Sequence, residues 1–167
     1  MSKKNISIYQ CIYKLSITVS AILILLLLVS CEDPDENLHL TVTDPRCGKV
    51  YQHLEVEPET IFVLSYRHSV SGSLVKGSFL INNHKEIEPL TTEYRSFGPG
   101  LPLDHWENYS IEDGLITVYH DDEPREKIRL WVSSYTEETL IVNEQEIPLY
   151  QPDISHLLLE INVVPNN

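Results

Sequence analysis

The sequence predicts an all-β domain, an antiparallel β-sandwich or a partly open barrel, preceded by a lipoprotein signal peptide. Three observations predict it. Apolar residues recur at every second position in several short runs after residue 38, as in strands with one buried face. Asn, Asp, Gly and Pro residues, which favour tight turns, separate these runs. An apolar segment near the N-terminus ends at a cysteine.

Residues 1–30 have the pattern of a secretory signal. Lys3 and Lys4 form a basic start, and the apolar segment Leu15–Val29 follows it. The segment ends Leu-Val-Ser-Cys, so Cys31 resembles the cysteine of a bacterial lipobox, which is lipidated and becomes the first residue of the mature chain. A plain membrane anchor is the alternative, but the segment is short for about 30 Å of hydrocarbon. We therefore expect an extracytoplasmic protein held at the bacterial cell envelope by lipid on Cys31.

The charge of the chain excludes one class of partner. The formal net charge is −13, and loss of the three lysines of the signal would take it to −16. Such a chain is repelled by nucleic acid, so no nucleic-acid partner is predicted. Residues 31–37 are acidic and contain no large apolar residue, which predicts a short tether. Residues 38–167 are then left as one all-β domain of ordinary size.

The alternating runs give the strands of this domain in order. Because the period is two, one face of each run is apolar and the other polar. The apolar positions are Leu38, Leu40, Val42; Ile116, Val118; Ile128, Leu130, Val132; and Leu157, Leu159, Ile161, Val163. The predicted turns are Asp44-Pro45, Asn82-Asn83, Asp113-Gly114, His120 to Pro124, and Asn143 to Glu146. The stretch Asp104–Ser110 fits least well and is predicted as a helical turn or loop.

The cysteine and histidine content predicts no metal site and no cofactor. Cys11 and Cys31 belong to the signal and the lipid anchor, which leaves Cys47 without an intramolecular disulfide partner. We interpret Cys47 as a buried or inert thiol, although a nucleophilic role is open. His120 stands before three acidic residues and would suit a divalent cation. A solvated acidic turn is the simpler interpretation. Trp106, Trp131 and most tyrosines are predicted to be packing residues.

Two polar motifs give the predicted ligand-binding surface. The apolar run Ile61–Leu64 leads into Tyr-Arg-His-Ser, and a later turn reads Phe-Gly-Pro-Gly-Leu-Pro. Glycines leave backbone N–H groups accessible, and Arg and His would attract a small carboxylate solute. The predicted surface, with no catalytic residue assigned, consists of Tyr66, Arg67, His68, Ser69, Phe97, Gly98 and Gly100.

Two alternatives remain open at this point. The first is a hydrolase in which His68 activates Ser69. Neighbouring residues on a strand point to opposite faces, and the chain has no Gly-x-Ser-x-Gly motif. The second is a purely structural envelope lipoprotein whose polar motifs only end strands.

The order of the two motifs resembles a known family. The run Tyr66–Val70, followed by Ser96–Pro102, is similar to the Tyr-x-His-Ser-Val stretch and Gly-x-Gly-Leu-Pro-like turn of the bacterial and archaeal domain-of-unknown-function family eighteen-fifty. The stretch Ile128–Leu149 also resembles that family's closing hairpin. The resemblance implies a small exported β domain that accompanies TRAP transporters with TAXI-type solute-binding proteins. A transporter subunit is therefore an expected partner.

The chain departs from the family in one respect. Family members commonly carry acidic residues directly after His-Ser-Val, whereas Ser71–Gly77 contains none. Together, these observations predict a lipid-anchored accessory or ligand-sensing domain with a non-enzymatic role in solute uptake.

Overall fold

The structure is a computed structural model that describes residues 38–96, 108–150 and 156–165. Within these ranges the chain forms eleven β-strands and no helix, so the all-β prediction is confirmed. None of the described residues belongs to a helix long and apolar enough to cross a membrane. The predicted signal peptide, the lipidated Cys31 and the acidic tether lie outside the described residues and remain predictions.

The strands alternate with short connections along the chain. Their bounds are β1 (Leu38–Asp44), β2 (Lys49–Val56), β3 (Ile61–Arg67), β4 (Leu74–Ile81), β5 (Ile87–Tyr94), β6 (Tyr109–Glu112), β7 (Leu115–Tyr119), β8 (Lys127–Val132), β9 (Thr139–Val142), β10 (Gln145–Pro148) and β11 (Leu157–Pro165).

These strands form two antiparallel sheets. The four-stranded sheet has the order β2-β1-β11-β8, and the seven-stranded sheet has the order β10-β9-β3-β4-β5-β7-β6. In the first sheet β1 and β11 pair with Leu38 opposite Pro165. The sheets are not closed into a barrel, so the sandwich is the correct one of the two predicted architectures.

The core lies between the inner faces of the two sheets. Alternate residues of β1 and β11 meet alternate residues of β3 and β9, as the period-two pattern predicts. Burying a side chain of this size stabilises the fold by about 1.5–3 kcal/mol. The residues that carry most of this burial are Leu40, Val42, Phe62, Leu140, Leu159 and Ile161, all 0% exposed.

Two hairpins have turns of two residues. Asp113 and Gly114 join β6 to β7, and Asn143 and Glu144 join β9 to β10. All four residues have positive φ angles, between 48° and 76°. Positive φ at both central positions is the type I′ turn, whose twist matches that of the strands it connects. The prediction of turns at both places is confirmed, although the second is shorter than predicted because Gln145 already belongs to β10.

Three other predictions are wrong in detail. Tyr109 and Ser110, predicted to lie in a helical turn or loop, begin strand β6. Trp131, predicted to be a packing residue, is 60% exposed, because its neighbours Leu130 and Val132 take the more buried positions of β8. Cys47 lies in the exposed turn after β1 and is not buried.

Candidate functional site

The first predicted motif forms the last residue of β3 and the connection to β4. We call the segment from Arg67 to Ser73 the polar hairpin. Its centre is His68, of which only 6% is exposed. The N–H of His68 donates to the Ser73 carbonyl at 2.8 Å, and its carbonyl accepts the Gly72 N–H at 2.8 Å. Gly72 has a φ of +67°, which glycine adopts without strain. The polar hairpin is therefore closed by the backbone of its own residues.

A chain of hydroxyl contacts joins His68 to the second motif. The Nδ1 of His68 lies 3.0 Å from Ser71 Oγ and accepts the Ser71 N–H at 3.3 Å. Ser71 Oγ lies 2.7 Å from Ser73 Oγ, which accepts a hydrogen bond from Ser96 Oγ at 2.8 Å. Because Nδ1 accepts a backbone N–H, the neutral ring carries its proton on Nε2.

This chain brings part of the second motif to the first. Ser96 opens the second motif and contacts the polar hairpin directly. Phe97, Gly98 and Gly100 lie outside the described residues, so their part of the predicted surface remains a prediction. The hydroxyl in contact with Nδ1 belongs to Ser71, whereas the alternative hydrolase prediction used Ser69, whose side chain is exposed.

The remaining polar groups of the hairpin are attached to the turn between β8 and β9. Arg67 Nε donates to Glu137 Oε2 at 2.7 Å, and the Arg67 N–H donates to the Thr136 carbonyl at 2.7 Å. The Tyr135 hydroxyl donates to the Ser69 carbonyl at 3.1 Å. Arg67, which was predicted to attract a carboxylate solute, is thus paired with the carboxylate of Glu137.

A cavity of about 320 Å³ lies between the two sheets beside the edge strand β8. We call it the intersheet cavity. Its volume is at the lower end of the range of small-molecule pockets. On the seven-stranded sheet, strand pairing places the lining residues side by side, with Tyr66 opposite Val75 and Gly77 opposite Thr92. The full lining consists of Leu64, Ser65, Tyr66, Val75, Gly77, Phe79, Thr92, Leu130, Trp131 and Glu138.

Gly77 leaves the space for this cavity. Its φ does not lie in the positive range that favours glycine, so the strand does not need a glycine for its conformation. A Cβ at Gly77 would lie 3.1 Å from Cε2 of Phe79, and the Phe79 ring is stacked on Phe62 with centroids 5.3 Å apart. Glycine within a strand lowers stability relative to alanine by about 0.5–1 kcal/mol. Such a residue often marks a place where a ligand approaches the backbone.

Glu138 places a carboxylate at the wall of this mainly apolar cavity. Only 7% of Glu138 is exposed. Its Oε2 accepts the Ser133 N–H at 2.8 Å, which fixes the side chain in place. Among the described residues, Oε1 has no hydrogen-bond partner. Oε1 is not one of the fully buried side-chain atoms without a partner in the described chain, so solvent in the cavity reaches it. Glu138 therefore has one acceptor left for a ligand.

Tyr66 is the second polar group of the intersheet cavity. Burial raises the pKa of its phenol, and the nearby negative charge of Glu138 raises that pKa further. The phenol consequently stays protonated at neutral pH and is able to donate a hydrogen bond. Within the described part of the chain the hydroxyl has no hydrogen-bond partner. Tyr66 was predicted to contact a ligand, and it is the member of the predicted surface that lines the cavity.

The acidic turn at His120 shows a different arrangement. His120 Nε2 lies 2.8 Å from Thr92 Oγ1, and its Nδ1 lies 3.5 Å from an Asp122 oxygen. Arg125 lies 3.7 Å from the same oxygen. In the ranges that the structure describes, no three His, Cys, Asp or Glu side chains are grouped to hold a metal ion.

Of the ten residues that line the intersheet cavity, the sequence prediction of a ligand-binding surface included only Tyr66. Gly77 carried a signal, since it interrupts the otherwise well-patterned strand Leu74–Ile81. Glu138 carried none, because it follows Glu137 in a polar turn with the same local sequence character. Trp131 was assigned to packing on its residue type alone.

Comparison with known proteins gives one match. The family model for Domain of unknown function (DUF1850) matches residues 62–149, just over half of the chain. The matched range contains the polar hairpin and most of the cavity wall, including Tyr66, Gly77 and Glu138. No curated protein and no solved structure matches the chain. The chain belongs to the DUF1850 family.

Proposed function

We propose that this protein is a lipid-anchored domain of the bacterial cell envelope that binds a small ligand in the intersheet cavity and has a non-enzymatic, accessory or sensing role. The observation that carries the proposal is the cavity itself, with Gly77 keeping it open and Glu138 keeping an acceptor unpaired at its wall. Both residues line the cavity, and a glycine within a strand often marks a place where a ligand approaches the backbone.

The proposal predicts that filling the cavity abolishes binding. The uncharged probe 2-phenylethanol should bind the full-length protein saturably in isothermal titration calorimetry. Gly77→Leu should remove this binding, because its side chain would occupy the space between Leu64, Phe79 and Leu130. Gly77→Ala should weaken it, since its Cβ displaces the Phe79 ring, which lines the cavity.

Ser78→Leu is the matched control. It adds the same side chain one residue later on the opposite face of β4, so it should bind the probe like the wild type. Absence of saturable binding to the wild type, or unchanged binding to a folded Gly77→Ala protein, would overturn the proposal.

The lipid anchor is tested separately. The predicted lipobox places the modification on Cys31, so mass spectrometry of the mature N-terminus should find a diacylglyceryl group on that residue. Cys31→Ser should release the protein from membranes while leaving the far-ultraviolet circular dichroism of the domain unchanged. A mature N-terminus without lipid would refute the anchor and leave the cavity proposal standing.

The role in solute uptake rests on the family resemblance. In cells that carry the gene beside a TRAP-type transporter, deletion of the gene should lower uptake of the transported solute. Complementation with the wild type should restore uptake, and complementation with Gly77→Leu should fail to do so. Normal uptake in the deletion strain would reject the accessory role.

A further inference from the structure

We propose that the ligand of the intersheet cavity is an organic cation, a monoamine whose ammonium group meets Glu138 and whose apolar body lies against Leu64, Val75 and Phe79. This inference rests on the proposed ligand-binding function and names the chemical class that the cavity accepts.

The unpaired oxygen of Glu138 determines the sign of the ligand's charge. With 7% of its surface exposed, Glu138 has the Ser133 N–H on one oxygen and no described partner on the other. Nearby Arg67 is engaged by Glu137 at 2.7 Å, at an exposed site. Because no described cationic side chain pairs with Glu138, its charge is open to a cation that enters the cavity. An ammonium group would supply both the opposite charge and a donor, whereas a carboxylate ligand would be repelled.

The neighbouring groups suit an ammonium as well. An ammonium has three donors. Tyr66 and Thr92, which both carry a hydroxyl group, line the same cavity as Glu138, and Thr92 Oγ1 also lies 2.8 Å from His120 Nε2. The formal net charge of −13 raises the local concentration of cations around the protein.

The apolar lining determines the rest of the ligand. Leu64, Val75, Phe79 and Leu130 present hydrocarbon surface, and burial of a matching apolar body is favourable in proportion to its area. A volume of about 320 Å³ suits one ring or a short branched chain. A polyamine would bring a second charge into the cavity, and Glu138 supplies one carboxylate. The ligand is therefore a monoamine with one compact apolar group.

Three probes of nearly equal shape separate charge from shape. The full-length protein is titrated near neutral pH with 2-phenylethylamine, 2-phenylethanol and phenylacetate, and binding is followed by calorimetry and by tryptophan fluorescence. The amine should bind about 10- to 100-fold more tightly than the alcohol, the usual gain from a charge-assisted hydrogen bond. Phenylacetate should bind more weakly than the alcohol.

Glu138→Gln tests the assigned residue. Its amide oxygen still accepts the Ser133 N–H, so the variant keeps the hydrogen bond that positions the side chain. The advantage of the amine over the alcohol should fall by about 10-fold or more in this variant, while binding of the alcohol stays within about 2-fold of the wild type. Glu137→Gln is the matched control, because Glu137 is the adjacent exposed carboxylate, and it should leave the amine advantage unchanged.

The outcomes distinguish this inference from the function on which it rests. If the alcohol binds and Gly77→Leu abolishes that binding, but the amine shows no advantage, the cavity function stands and the cation assignment fails. An amine advantage that persists in Glu138→Gln also overturns the assignment. If none of the three probes binds the wild type, both proposals fail.

Discussion

The polar hairpin and the intersheet cavity begin at adjacent residues of β3 but differ in how their polar groups are paired. Tyr66 and Arg67 are neighbours, and alternation along a strand sends their side chains to opposite faces. Arg67 reaches the outer side and is paired with Glu137. Tyr66 reaches the inner side and lines the cavity with Glu138. At this end of β3, the outward side chain of Arg67 is therefore paired within the chain, whereas the inward side chain of Tyr66 faces the cavity.

This difference separates polar groups that stabilise the fold from groups that are left for a ligand. In the polar hairpin, the Nδ1 of His68, the hydroxyls of Ser71 and Ser73 and the Arg67 guanidinium have partners in the chain. In the cavity, Glu138 Oε1 and the Tyr66 hydroxyl have none among the described residues. Substitutions should therefore lower stability in the hairpin and change binding in the cavity, and the predictions below test that division.

The largest effect on stability is expected from His68→Ala. The substitution removes the acceptor of the Ser71 N–H and one end of the serine chain. Ser71 is exposed but His68 is buried, so the variant loses a hydrogen bond, worth about 0.5–1.5 kcal/mol, together with buried packing. The free energy of unfolding in urea should fall by at least that amount. His68→Asn is the matched control, because its side-chain oxygen is able to accept the same N–H. Amine binding should be unchanged in both variants, and a stable His68→Ala protein that no longer binds would contradict the division.

A smaller effect of opposite sign is expected from Glu138→Gln. The amide keeps the bond to Ser133 and removes the charge of a carboxylate that is 7% exposed. The free energy of unfolding should rise by less than about 1 kcal/mol, because a mostly buried charge with no described cation beside it is removed. Thermal and urea unfolding at neutral pH measure this change. Glu137→Gln, which breaks the ion pair with Arg67, should lower stability slightly, and loss of stability in Glu138→Gln would show that its charge is compensated.

These two glutamates also show how far the sequence could predict the site. Glu137 and Glu138 are identical in type and adjacent in the same turn. One side chain lies at the surface beside Arg67, 70 residues away, and the other is buried by β3, β8 and β9. The local sequence contains nothing that distinguishes them, since the distinction comes from strand pairing across the sandwich. Tyr66 could be predicted because an aromatic residue with a polar tip ends a buried strand.

The fold was easier to predict than the site, because the apolar period of a strand can be seen in its own sequence. Strands such as β1 and β11 each have one buried face, so Leu38, Leu40 and Val42 show their period directly in the sequence. Strands β6 and β10 are four residues long and mostly exposed. Edge strands of this kind bury too little surface to impose an apolar period. Strand β6 was therefore missed, and the first half of β10 was assigned to a turn.

A third prediction concerns the exposed ion pair of the polar hairpin. Arg67 and Glu137 are about half exposed, with side-chain exposures of 55% and 46%. Exposed ion pairs contribute about 0.2–1 kcal/mol and are screened by salt. A double-mutant cycle of Arg67→Ala and Glu137→Ala should give a coupling energy in that range, smaller at high ionic strength. Amine binding should be unaffected, and a loss of binding in Arg67→Ala alone would return the hairpin to the predicted ligand-binding surface.

The smallest effect is a change in the ionisation of Tyr66. Burial and, second, the Glu138 charge raise the pKa of Tyr66 above its ordinary 10.0. Glu138→Gln removes the second cause and leaves the first, so the pKa should fall part of the way towards the ordinary value. Absorbance titration of tyrosinate, with Tyr66→Phe used to assign the signal, measures this change. Tyr94 is the internal control, because burial alone raises its pKa, and it should titrate as before.

The raised pKa of Tyr66 also makes the stability of the protein depend on pH at alkaline pH. Because the folded protein holds the Tyr66 proton more tightly than the unfolded chain does, its contribution to stability is complete below pH 10 and is lost as the pH rises through the folded pKa. In Glu138→Gln this contribution to stability should be lost at a lower pH, because the substitution lowers the pKa of Tyr66 in the folded protein and leaves the pKa in the unfolded chain unchanged. An unchanged Tyr66 titration in Glu138→Gln would mean that the carboxylate does not interact electrostatically with the phenol. The proposed ammonium site between the two groups would then be refuted.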